Sequence, residues 1–84
     1  MMDSGNFSTM HGVVTLMARL DSSDNLVYVA TLNGIEIGQC RRAEDMNVYY
    51  KHSVDDKNFI TAVTDSFSEA AQELASFAFK VGVI

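Results

Sequence analysis

Ser66-Phe67-Ser68-Glu69-Ala70-Ala71-Gln72-Glu73-Leu74-Ala75-Ser76-Phe77-Ala78-Phe79-Lys80-Val81 is the stretch that decides how the chain is organised. Its apolar positions Phe67, Ala70, Ala71, Leu74, Phe77, Ala78 and Val81 recur at helical spacing. Ser66 with Glu69 three residues on is a capping-box pattern. The hydroxyl accepts from an amide of the first turn while the carboxylate reaches back to the amide of Ser66. Glu69 and Glu73 suit the positive end of the helix dipole, and Lys80 suits the negative end. Gly82 can take the left-handed conformation that closes a helix, with Val83 or Ile84 folding back on the last turn. No other long helix is legible, so upstream strands must cover the apolar stripe.

Those strands read from alternation. His11 to Leu20 places Val14, Leu16, Ala18 and Leu20 on one face and Val13, Thr15, Met17 and Arg19 on the other. Asp21 to Asn25 is a turn cluster, Leu26 to Leu32 alternates again, and Asn33-Gly34 is a strong two-residue hairpin signal. Ile35 to Arg41 returns. A two-residue turn pairs Leu32 with Ile35 and Ala30 with Ile37. Pairing Leu20 with Leu26 sets Ala18 beside Tyr28, Leu16 beside Ala30 and Val14 beside Leu32, all apolar and on one face. A one-residue slip would break that set.

Glu44 and Asp45 mark a connection, Asn47 to Val54 reads as a fourth strand, and Asp55 to Asn58 as a turn. Phe59 to Thr64 reads as a fifth strand, since Phe-Ile-Thr-Ala-Val-Thr is β-prone. A single helix from Asp55 to Val81 is the competing reading. The expected fold class is therefore α+β: an antiparallel β-meander of four to five strands with one C-terminal α-helix packed on one face. The expected core comprises Val14, Leu16, Leu20, Leu26, Tyr28, Leu32, Ile35, Ile37, Val48, Tyr50 and Val63 against the helix stripe. Residues 1–9 read as a flexible N-terminal arm and 10–84 as a single α+β domain.

Composition narrows the function class. Eighty-four residues make one small domain, and 48% apolar content supports a packed core rather than disorder. No stretch approaches the length of a membrane span, and the first nine residues lack a basic start and an apolar segment, so no signal peptide or membrane association is expected. The single Cys40 fits a reducing, cytoplasmic compartment. A net charge of −5 argues against wrapping duplex nucleic acid, which calls for a basic footprint.

No chemistry-bearing motif stands out. His11, Cys40 and His52 lack ligand-like spacing for a metal, and Cys40 with His52 lacks an oxyanion motif, so neither an enzyme nor a cofactor is expected. The loops holding Asp21 and Asp24, Glu44 and Asp45, and Asp65 with Glu69 fall at one end of a meander. They read as solvated loops and helix starts rather than as a site.

What the architecture leaves over is a face. By parity the side away from the helix carries Val13, Thr15, Met17, Arg19, Val27, Val29, Thr31, Glu36, Gly38, Cys40, Arg42, Tyr49 and Lys51. That is apolar for a surface meeting water, and such patches mark interfaces. Met17, Val27, Val29 and Tyr49 are the expected apolar anchors and Arg19, Arg42 and Lys51 the charged rim of a protein-binding surface. Two alternatives use the same face: a structural homodimer, and a single-strand nucleic-acid binder through Tyr49, Arg42 and Lys51. In overall type, a tiny acidic cysteine-poor α+β domain without a catalytic motif resembles the small accessory proteins of phages and mobile elements. That resemblance implies an inhibitor or adaptor acting by surface occlusion, for example on a host defence complex such as CRISPR-Cas.

Overall fold

The computed structural model describes residues 4–20, 22–53 and 62–84. Six strands, β1 (Ser4–Thr9), β2 (Gly12–Leu20), β3 (Leu26–Leu32), β4 (Ile35–Arg42), β5 (Val48–His52) and β6 (Ala62–Thr64), precede the helix α1 (Phe67–Lys80). The strands pair antiparallel in sequence order, β1-β2-β3-β4-β5-β6. The α+β meander expected from the sequence is present, with more strands than the four or five anticipated.

The hairpin register follows the apolar pairing. Val14 faces Leu32, Leu16 faces Ala30, Ala18 faces Tyr28 and Leu20 faces Leu26. Asn33 and Gly34 both have positive φ, 54° and 79°, which is the twist-matched two-residue turn such a dipeptide favours. Leu32 accordingly pairs with Ile35. The helix ends behave as their residues suggest. Ser66 Oγ accepts from the Glu69 amide at 3.1 Å. At the other end the Gly82 amide donates to Phe79 O and the Val83 amide to Ala78 O, the paired bonds of a Schellman closure. Val83 and Ile84 then pack back on the core.

One reading needs correction here, and one competing alternative is excluded. Ser4–Thr9 is a strand rather than a flexible arm: it pairs along β2 from Ser4↔Met17 to Thr9↔Gly12, and Phe7 packs against the core. Its single large apolar residue conceals it in the sequence, because the strand is won by backbone pairing with β2. The competing helix from Asp55 is excluded across 62–66, where β6, a bend and the Ser66 cap interrupt it. The turn at Asp55 to Asn58 and the start of the expected fifth strand lie outside the described residues.

The helix touches all six strands. Six strands laid flat would span about 24 Å between outer axes, whereas a helix with its side chains is about 10–12 Å across. The sheet therefore curls into a half-barrel around the helix. Close approach requires small residues, and α1 presents Ala70, Ala71, Ala75 and Ala78 with a single large side chain, Leu74, all buried. Their sheet partners include Val14, Leu16, Ala30, Leu32, Ile37, Cys40 and Val48.

The expected core list holds for Val14, Leu16, Leu32, Ile37 and Val48, with Tyr28 and Tyr50 half-buried. It fails for Leu20 and Leu26, which are 60% and 52% exposed. The helix begins at Phe67, whose ring meets Tyr28 edge-on at 5.1 Å, so the next pair along the sheet has no helix above it. Ile35 and Val63 are exposed as well. Val63 pairs with Tyr49, on the side away from the helix.

The register changes in β4. Thr31 pairs with Glu36 but Ala30 pairs with Gly38, leaving Ile37 as the extra residue of a β-bulge. Ala30 was expected opposite Ile37. The Ile37 carbonyl instead accepts from the Ser53 amide at 3.1 Å, and Gly38 comes to lie beneath Leu74. A Cβ on Gly38 would sit 2.5 Å from both Leu74 Cδ2 and the Lys51 carbonyl oxygen. One obstacle is backbone, so the clash cannot be relieved by a rotamer change. Gly38→Ala should cost about 2–3 kcal/mol or more. Gly34→Ala, where a Cβ meets nothing within 4 Å, should cost only the left-handed strain of about 1–2 kcal/mol. Denaturant unfolding of the two variants checks the ordering.

Candidate functional site

The bulge determines what the outer, convex face displays. Beyond Ile37 the alternation of β4 is inverted, so Gly38 and Cys40 join Ala30 and Tyr28 on the helix side while Gln39 and Arg41 turn outward. Three rows cross the face. One runs Met17–Val29–Gln39–Lys51 along the strand pairings. The next joins Arg19 to Val27, and Arg41 to Tyr49 and Val63. A third carries Asn6, Thr15, Thr31 and Glu36, with the Thr15 hydroxyl donating to Asn6 Oδ1 at 2.9 Å.

Of the expected contact residues, Met17, Arg19, Val27, Val29, Tyr49 and Lys51 are brought together on this face. Val27 differs from its expected part: at 5% exposure it is a floor, whereas Met17 protrudes at 58%. Arg42 is not on the face. It pairs with Val48 on the helix side, lays its guanidinium 5.1 Å over the Phe67 ring and donates to the Met46 carbonyl. Arg41, Gln39 and Val63 take places that strict alternation assigned elsewhere. Gly38 was the available signal, since a glycine inside a strand pattern often marks a bulge.

Between β3, β4 and β5 the face sinks into an open depression of about 350 Å³. Val27 floors it, and Ser22, Gln39, Arg41, Tyr49 and Lys51 stand around it. The Arg41 guanidinium lies 5.8 Å over the Tyr49 ring. The Tyr49 hydroxyl donates to Asp45 Oδ2 at 2.7 Å, and the Asn47 amide donates to Asp45 Oδ1 at 3.0 Å. These bonds stabilise the charged carboxylate, so the Asp45 pKa is lowered, first by the tyrosine and then by the amide, while that of Tyr49 is raised by the same bond.

The residues considered for chemistry are dispersed. Cys40 is buried in the core, and burial pushes its thiol up to about 12. His52 stacks on Phe77 with ring centroids 3.8 Å apart, and His11 stacks on Phe79 at 4.6 Å. Among the described residues no three of His, Cys, Asp and Glu gather as a metal site would require, and no helix is long and apolar enough to cross a membrane. On the inner side Tyr50 is shifted upward by burial first, then by the charges of Glu73 and Glu69.

Comparison of the chain with protein-family models, curated proteins and solved structures finds no match. Its functional reading therefore rests on the geometry of this face.

Two outcomes follow. The Cys40 thiol should resist alkylation in the native protein at pH 8 and react once the chain is unfolded, because the thiolate is the reactive form. A thiol-reactive dye read before and after denaturant checks this. Asp45, with its folded pKa depressed, holds the Ala43–Asn47 loop above the ordinary carboxylate pKa and releases it as pH falls through the lowered value. Tyr49→Phe should move that release to higher pH, seen as an upward shift of the Asn47 amide titration by NMR.

Proposed function

We propose that the protein is a non-enzymatic binding module, an inhibitor or adaptor that occludes a partner's surface with its convex sheet face. The observation that carries this reading is the composition of that face. A convex sheet surface meeting only water alternates toward polar residues. Here Met17 pairs with Val29 and Tyr49 with Val63, and Val27, Arg19, Gln39, Arg41 and Lys51 stand on the face between and beside the two pairs. Apolar anchors ringed by arginine and tyrosine are the composition of energetic centres in protein interfaces.

The resemblance of type to accessory proteins of mobile elements makes a host enzyme or defence complex the first partner class to try. Base stacking by the same face is less well supported. Tyr49 is its sole aromatic among the described residues, and that ring already has Arg41 over it and Asp45 on its hydroxyl.

The test compares the wild type with Met17→Glu/Val29→Glu in a tagged pull-down from lysate treated with nuclease. The wild type should retain a protein partner and the double variant should lose it, with thermal unfolding nearly unchanged because both side chains lie outside the helix-facing core. Equal capture by the folded variant would reject the reading. Capture abolished by nuclease would transfer the face to nucleic acid.

A further inference from the structure

Resting on that reading, we infer that the depression floored by Val27 is an anchoring site for an acidic segment of the partner, one carboxylate-bearing stretch with an apolar side chain among its acids. Charge is the first argument. The chain carries eleven acidic and six basic residues, yet three of the six, Arg19, Arg41 and Lys51, stand on this one face around Val27. No carboxylate pairs with Arg19 or Arg41 among the described residues. Asp45, the carboxylate bonded on this face, is already engaged by Tyr49 and Asn47.

Shape is the second argument. A hollow of about 350 Å³ lies at the small end of ligand clefts, open enough for a side chain and its neighbours in an extended segment. Its floor is the nearly buried Val27, which would meet an apolar side chain, and Gln39 beside it offers an amide to a backbone group. The Arg41 guanidinium is held by the Tyr49 ring, so less of its freedom is lost when it forks onto a carboxylate.

A polyanion such as single-stranded nucleic acid fits the same cations less well. It brings charge along its whole length toward a chain of net charge −5, and it needs a stacking face that Arg41 already covers. The acidic segment needs only local charge and a small apolar recess.

The experiment titrates isotope-labelled protein with three probes: a blocked hexapeptide alternating glutamate and leucine, its lysine-for-glutamate counterpart, and a short oligothymidylate. The acidic peptide should give saturable amide shifts at Val27, Gln39, Arg41 and Tyr49. These should weaken about tenfold in Arg41→Glu, a like-charge substitution at the contact, while the thermal midpoint stays put. No saturable shift, an equal response to the lysine peptide, or tighter binding of oligothymidylate at these amides overturns the inference. A parallel pull-down separates the two levels. Loss of partner in Met17→Glu/Val29→Glu but not in Arg41→Glu removes the acidic anchor and leaves the binding face. Retention in both removes the face itself.

Discussion

The close approach of Leu74 to the backbone of Gly38 is the constraint on which the rest of the structure depends. The helix offers one large side chain among alanines, and the sheet must provide a place for it. A regular β4 would turn Gly38 outward, as strict alternation from Ile35 implies. Inserting Ile37 as a bulge turns Gly38 inward and keeps Ile37 buried as well. The added twist of a bulge also suits a sheet that must curl far enough for one helix to reach all six strands.

The same extra residue connects the interior to the surface. Once Gly38 and Cys40 face the helix, Gln39 and Arg41 must face out, and Arg41 meets Tyr49 across the pair. Arg42, one step on, is turned inward and seals the helix start over Phe67. Two adjacent arginines thus have opposite tasks, one structural and one on the open face. The cationic, partly apolar character of the convex side is a consequence of how the core is packed beneath it.

Local geometry was legible in the sequence where neighbouring residues determine it. Asn33-Gly34 carries its own turn, the Leu20–Leu26 pairing aligns a full apolar set, and Ser66, Glu69 and Gly82 mark the helix ends. The parts that were not legible are decided by contacts distant in sequence. The bulge answers to Leu74, which lies more than thirty positions downstream of Gly38. β1 exists because β2 has an edge to pair with, and Phe7 alone among its residues is a large apolar one. Most of the candidate face was nonetheless identified from parity, since β2, β3 and β5 keep their alternation; the errors fall in β4, which breaks it, and at Val63 in β6.

The order of elements has a consequence for the nascent chain. All six strands among the described residues precede the helix that lines their concave side, so they leave the ribosome before it. Successive hairpins can zip together early because each strand pairs with its neighbour in sequence. The trough holding Val14, Leu16, Leu32 and Val48 then waits, unlined, for the alanine-rich segment to emerge. A meander at that stage has two free edges and an oily groove, the combination that invites association with other chains. The Ser66 cap favours the first turn of α1, and packing of its alanine face into the groove supplies most of the helix's stability.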